Sequence, residues 1–174
     1  MKDKAFQIAL ARIGPTGLDV PVELGSQWFG RWQEEEPGLE FTEAKVSGKV
    51  NLTRHGHDIL VRGRLSGRLG LSCGRCLEAF AAPVEADFDL LLVPGPPPAG
   101  AEEEELTRGE LDLDYYTGEM LDLEGILKEQ IILMVPLKPL CSAVCRGLCP
   151  GCGANLNREA CACKDKRADS PAPI

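Results

Sequence analysis

Long apolar runs are missing from this chain: no segment reaches the roughly eighteen consecutive apolar residues that a membrane-spanning helix needs. Met1-Lys2-Asp3-Lys4 leads into a short alternating stretch and not into the apolar centre of a secretion signal. A soluble, cytoplasmic protein with no membrane association is expected. Signatures of nucleotide and acyl chemistry are absent as well. Neither G-x-x-x-x-G-K-[ST], whose backbone would cradle phosphates, nor G-x-S-x-G, which would raise a serine on a strained turn, occurs in the sequence. Positive charge is in deficit, since 19 Lys and Arg face 27 Asp and Glu for a net charge of −8. That balance opposes non-specific long-range attraction to a phosphate backbone. Histidine is down to two, His55 and His57, in a polar turn where solvation accounts for them better than metal binding.

Cysteine, by contrast, is plentiful, with eight in close pairs. In a reducing cytosol disulfides are rare and thiolate–metal sites are at home. Cys149-Pro150-Gly151-Cys152 followed by Cys161-Ala162-Cys163 is the strongest pattern. Zinc takes four soft ligands at tetrahedral corners, and a C-x-x-C turn supplies two because its glycine lets backbone amides turn toward the sulfurs. The second pair completes a first zinc site of Cys149, Cys152, Cys161 and Cys163. Cys73-Gly74-Arg75-Cys76 has the same knuckle form and needs a partner pair. Cys141 and Cys145 bring that pair from beyond a helix, making a second site; the alternatives are that they join the C-terminal cluster, or that Cys73 and Cys76 are a pair without metal. One or two zinc ions are expected. A redox role would need a thiolate at a helix start in a strand–helix order, whereas Cys73 and Cys76 join two strands. A zinc closed by four sulfurs has no open position at which to activate water, so no enzyme and no small-molecule substrate are expected.

Alternation of apolar and polar residues dominates the first two thirds of the chain. Phe6, Ile8 and Leu10 suggest a strand before Gly14-Pro15, and residues 28–37 give no clear period, as loop or short helix. The pattern returns from Phe41 to Leu52. It is cleanest where Ile59, Val61, Leu65, Leu69 and Leu71 point one way and Arg62, Arg64, Ser66 and Arg68 the other. His55-Gly56-His57-Asp58 reads as the hairpin turn between these segments, and Val84 to Leu92 follow as a third strand. Residues 94–110, rich in proline, glycine and glutamate, cannot continue a ladder and read as an acidic surface loop. Leu111, Leu113 and Tyr115 alternate briefly. Asp122 caps a helix through Met134 that Pro136 ends, its apolar stripe packing on the sheet. The fold class is therefore α+β: mainly an antiparallel β-meander or partly open barrel with one packed helix and a C-terminal zinc knuckle. The expected division is a β-rich core over 1–136, a cysteine-rich zinc-binding segment over 137–163, and a disordered tail over 164–174.

Charge is unevenly spread. Residues 45–76 carry Lys45, Lys49, Arg54, Arg62, Arg64, Arg68 and Arg75 against Asp58 alone. Arginine's planar fork makes paired hydrogen bonds to phosphate or carboxylate, so Arg62, Arg64, Arg68 and Arg75 with Lys45 and Lys49 form the candidate surface for RNA or a partner protein. A solvated strand face that balances zinc thiolates and acidic loops is the competing explanation.

Three blocks in this order, Cys73-Gly74-Arg75-Cys76-Leu77-Glu78-Ala79-Phe80, the helix end Ile131-Ile132-Leu133-Met134-Val135-Pro136-Leu137, and Cys141 through Asn157, resemble the YceD family. The resemblance covers about residues 40–163. It implies a cytoplasmic, non-enzymatic ribosome assembly factor needed for accumulation of large-subunit (23S) ribosomal RNA, acting by binding that RNA or a large-subunit ribosomal protein. It also implies that the C-terminal knuckle is a stabiliser, because some relatives lack its cysteines. Two other readings stand beside it: an acidic chaperone-like binder of a basic ribosomal protein, and a zinc-ribbon regulator that binds nucleic acid, which the negative net charge fits poorly.

Overall fold

A computed structural model describes residues 4–36, 38, 40–96, 112–161 and 163. Three long strands dominate it: β3 (Ala44–His55), β4 (Asp58–Ser72) and β5 (Ala79–Pro94). They form an antiparallel meander, β3 pairing β4 from Ala44↔Leu69 to His55↔Asp58 and β4 pairing β5 from Ile59↔Leu92 to Ser72↔Ala79. The hairpin turns at Gly56-His57, with Gly56 at φ +64°, as the turn chemistry of the sequence predicts.

Two further strands extend the meander into a five-stranded sheet of order β2-β3-β4-β5-β6. β2 (Leu18–Leu24) was not foreseen, because Pro21 argues against an interior strand. It lies at an edge, where the missing N–H breaks no ladder, and Val20, Val22 and Leu24 alternate inward from it. β6 (Asp112–Tyr116) runs parallel to β5 and not antiparallel as a pure meander would. Pro94, read above as outside any ladder, closes β5 in register with Tyr116, since a proline at a strand end still offers its carbonyl. Among the described residues the sheet stays open, with β2 and β6 as its edges, so it forms no closed barrel. A separate two-stranded ribbon pairs β1 (Gln7–Ala9) with β7 (Met120–Asp122). The acidic loop from residue 97 on and the tail from 164 lie outside the described residues.

Two helices, not one, cover the inner face of the sheet. α2 (Leu123–Met134) begins where predicted, the Asp122 carboxylate accepting from the Gly125 amide, and buries Leu123, Ile126, Leu127 and Ile131. α1 (Ser26–Glu35) occupies the segment that showed no period, because Gly30 interrupts its pattern and Gly25 begins it without a side-chain cap. It buries Trp28, Phe29 and Trp32, the last two against Phe41, with Phe29 edge-on to Phe41 at 5.4 Å. Lys128 of α2 joins the helices, 2.8 Å from Glu35 and 5.7 Å above the Trp32 ring. That ammonium lowers the Glu35 carboxyl below its ordinary value. The outer face of the sheet carries the charges, so the alternation that filled the core also set out a polar surface.

Candidate metal centres

The first centre is built where the β4–β5 turn meets the segment after α2. Cys73 and Cys76 sit on that turn, and the Gly74 amide donates to the Pro139 carbonyl at 2.8 Å, which docks the returning chain beside the knuckle. Cys73 Sγ lies 3.8 Å from Cys145 Sγ and Cys76 Sγ 3.7 Å from Cys141 Sγ. All four sulfurs lie within 4.8 Å of one another. A tetrahedron with zinc–sulfur bonds of about 2.3 Å has edges of about 3.8 Å, so the donor set fits that ion. Cys73, Cys76 and Cys145 are buried and only Cys141 is exposed. Of the arrangements open at the sequence level, the structure forms the one in which Cys141 and Cys145 cross to Cys73 and Cys76.

The second centre gathers Cys149, Cys152, Cys161 and Cys163, again within 4.8 Å. Cys161 Sγ is 3.2 Å from Cys149 Sγ and 3.4 Å from Cys152 Sγ, somewhat tighter than the edges around a bound zinc ion. The Gly151 amide points at Cys149 Sγ from 3.4 Å, as the glycine-bearing knuckle predicts. This centre is the more open of the two, Cys152 being exposed and Cys161 and Cys163 half-buried.

Sulfurs packed this closely cannot all ionise without a cation. The Cys141 amide, followed by that of Cys76, pulls the Cys73 thiol down to about 6, and the Cys161 thiol with the Gly151 and Cys152 amides does the same for Cys149. Within the same tetrads, Cys145 foremost, then burial, pushes Cys141 up to about 12. For Cys161 the Cys163 amide pulls down, but Cys149 and Cys152 outweigh it and the thiol ends at about 12. A dication reverses this balance by deprotonating every sulfur it binds. Cys73 and Cys149 lie below the ordinary thiol value of 9.0, so the stability they lend is present above it and is lost as pH falls through about 6. Protons compete with metal in the same direction. Metal is therefore expected to stay bound at neutral pH and to leave progressively as pH falls, followed with a chromogenic chelator.

The two centres are tied to each other. Asn157, in the loop of the second, donates from Nδ2 to Cys145 Sγ at 3.3 Å and accepts the Arg146 amide on Oδ1 at 2.7 Å. Arg75, inside the first knuckle, donates to the Cys145 carbonyl at 2.8 Å, while its own carbonyl accepts the Leu148 amide at 3.1 Å. Arg158 pairs with Glu78 at 2.8 Å. Sequence reasoning missed Asn157, since an asparagine near cysteines carries no spacing signal.

Both knuckles need left-handed backbone just after their second cysteine. The C-terminal one uses Gly153 at φ +75°, whereas the first uses Leu77 at φ +60°, 68% exposed. A non-glycine residue there is strained. Leu77→Gly is expected to raise stability by no more than about 1 kcal/mol, because glycine's freedom in the unfolded chain offsets part of the gain. Denaturant titration of the metal-loaded protein checks this.

The candidate partner-binding residues divide into two groups. Arg62 pairs with Asp89 at 3.4 Å, Arg64 with Asp87 at 2.5 Å and Lys49 with Asp19 at 2.7 Å. Asp87 raises the Arg64 guanidinium further, and Lys49 lowers Asp19. Arg75 is committed to the first centre. Lys45 and Arg68 stand opposite each other in register, and neither is in an ion pair among the described residues.

An open, helix-backed sheet joined to a cysteine-rich end through one four-sulfur cluster, with a second such cluster inside that end, defines a class of protein with two tetrads that could each hold a metal ion. The family model described as large ribosomal RNA subunit accumulation protein YceD matches residues 61–172, which include all eight cysteines. The chain belongs to the YceD family. Curated relatives include the proteins named large ribosomal RNA subunit accumulation protein YCED homolog 1, chloroplastic, of Zea mays and of Arabidopsis thaliana. The maize protein is 27% identical over 72% of this chain and 50% of its own length, the Arabidopsis protein 25% over 71% and 45%. An uncharacterized protein of Mycobacterium tuberculosis (strain H37Rv) is 31% identical over 58% of this chain and 46% of its own. The chain thus spans about half the length of the curated relatives it matches. No solved structure matches it. Among the described residues no helix is long and apolar enough to cross a membrane.

Proposed function

We propose that this protein is a non-enzymatic, cytoplasmic ribosome assembly factor needed for large-subunit (23S) ribosomal RNA to accumulate, and that it acts by holding that RNA or a large-subunit ribosomal protein. Family membership carries this reading, the matched region taking in both cysteine tetrads. Two zinc ions are the resident metals, one held by Cys73, Cys76, Cys141 and Cys145, the other by Cys149, Cys152, Cys161 and Cys163. Each contributes folding energy and, with four sulfur ligands, leaves no coordination position for substrate. The cysteine-rich segment 137–163 is in this view an appendage clamped onto the core formed by residues 1–136, and the contact surface lies on the outer face of the sheet.

Depletion of the protein in cells tests the reading. Large-subunit ribosomal RNA should fall relative to small-subunit RNA and recover with the wild-type gene; an unchanged ratio overturns the proposal. Affinity capture with and without nuclease then separates an RNA partner from a protein one.

A further inference from the structure

On the outer face of the sheet, cations are matched to acids with one exception. In register, Arg62 stands opposite Asp89 and Arg64 opposite Asp87, while Lys49 reaches Asp19 on the neighbouring strand. Toward the knuckle end the pattern stops. Arg68 faces Pro83 across β5, and Lys45 lies one register step beyond Leu24, where β2 has ended. Glu85, the nearest acid along β5, lends its field to Arg64. Lys45 and Arg68 are left opposite each other, both exposed. Like charges directly opposite on paired strands repel, and among the described residues no ion pair offsets the charge at this position.

The pair lines a groove of about 680 Å³ that also takes in Ser26, Thr42, Phe80 and one acid, Glu43. Two hydroxyls and two cations around a hollow are the donors that a phosphate accepts from, arginine by its fork and lysine as a point charge. We propose that this groove seats the phosphate backbone of RNA, and that Lys45 and Arg68, not Arg62 and Arg64, supply the electrostatic contact. The proposal rests on the ribosomal RNA reading above and narrows it to one place. Phosphate contacts of this kind position a protein without reading sequence, so the site confers affinity, and discrimination among RNAs must come from shape or from other surfaces.

Salt-dependent binding of the zinc-loaded full chain to a large-subunit ribosomal RNA transcript, and to a scrambled RNA of equal length, tests it. Each phosphate contact removed lowers the slope of log affinity against log salt by about 1. The K45A/R68A double variant should therefore lose roughly 2 from that slope and weaken equally on both RNAs. R62A/R64A should leave the slope unchanged, and Glu43→Gln should tighten binding. Zinc content and circular dichroism confirm that each variant is folded. An unchanged slope in K45A/R68A, or an equal loss in R62A/R64A, overturns the groove while leaving RNA binding intact. A wild-type chain that binds neither RNA, while capturing a ribosomal protein through the same groove, overturns the RNA reading itself.

Discussion

Replacing Cys73 by serine should release one of two zinc ions per chain and free the segment from residue 137 onward from the sheet. Cys73 is fully buried and contacts Cys145 Sγ at 3.8 Å, so the change removes a ligand from the enclosed centre and not from a rim. The five-stranded sheet has its own apolar core, from Phe6 to Ile131, which does not include the sulfurs. Circular dichroism should therefore keep its β signal, while limited proteolysis or amide exchange shows residues 137–163 opened. Structural zinc in small peptides contributes roughly 10–16 kcal/mol of apparent binding energy at neutral pH, enough for its loss to be decisive locally. Metal analysis returning two ions in the variant, or an unchanged digestion pattern, would refute the arrangement.

The second large effect is expected from a residue that ligates nothing. Asn157→Ala removes the donor to Cys145 Sγ and the acceptor of the Arg146 amide at once. Partners that orient metal ligands typically account for 10–100-fold in affinity, so the first centre should bind zinc about 10–100-fold more weakly although all four of its cysteines remain. Because Asn157 is carried on the loop that the second centre closes, Cys161→Ser should weaken the first centre as well. Zinc exchange measured on the two variants distinguishes this from two independent sites, for which the rate at Cys73, Cys76, Cys141 and Cys145 would not move.

Much of this arrangement was legible from the chain. The long strands were, because Ile59 to Leu71 repeat every second residue and the inward set is almost wholly aliphatic, which only a one-sided sheet explains. The C-terminal tetrad was, because both halves of a knuckle lie close in sequence. What stayed hidden depended on distance. β2 escaped notice because Pro21 is tolerable only at an edge, and edge position is a property of the whole sheet. α1 escaped because its burial is carried by Trp28, Phe29 and Trp32, the last two packing on Phe41, with Gly30 on the helix between them. Pairing of Cys73 with Cys145 was one option among several, since spacing cannot say which pairs meet. The basic stripe differs again: a count along the segment did not include Asp87 and Asp89, which arrive from the next strand to pair with Arg64 and Arg62. Charge summed along a segment is not charge presented on a face.

Cys73 and Cys145 are 72 residues apart, and Cys76 and Cys141 are 65 apart. Domains fold from the N-terminus as the ribosome extends them, so β4 and the first knuckle leave the ribosome long before their partner sulfurs exist. Until then the turn offers two thiols and no cage. A translation product that stops short of residue 141 would display an unclasped dithiol, and metal capture at this centre would report that synthesis has passed residue 145.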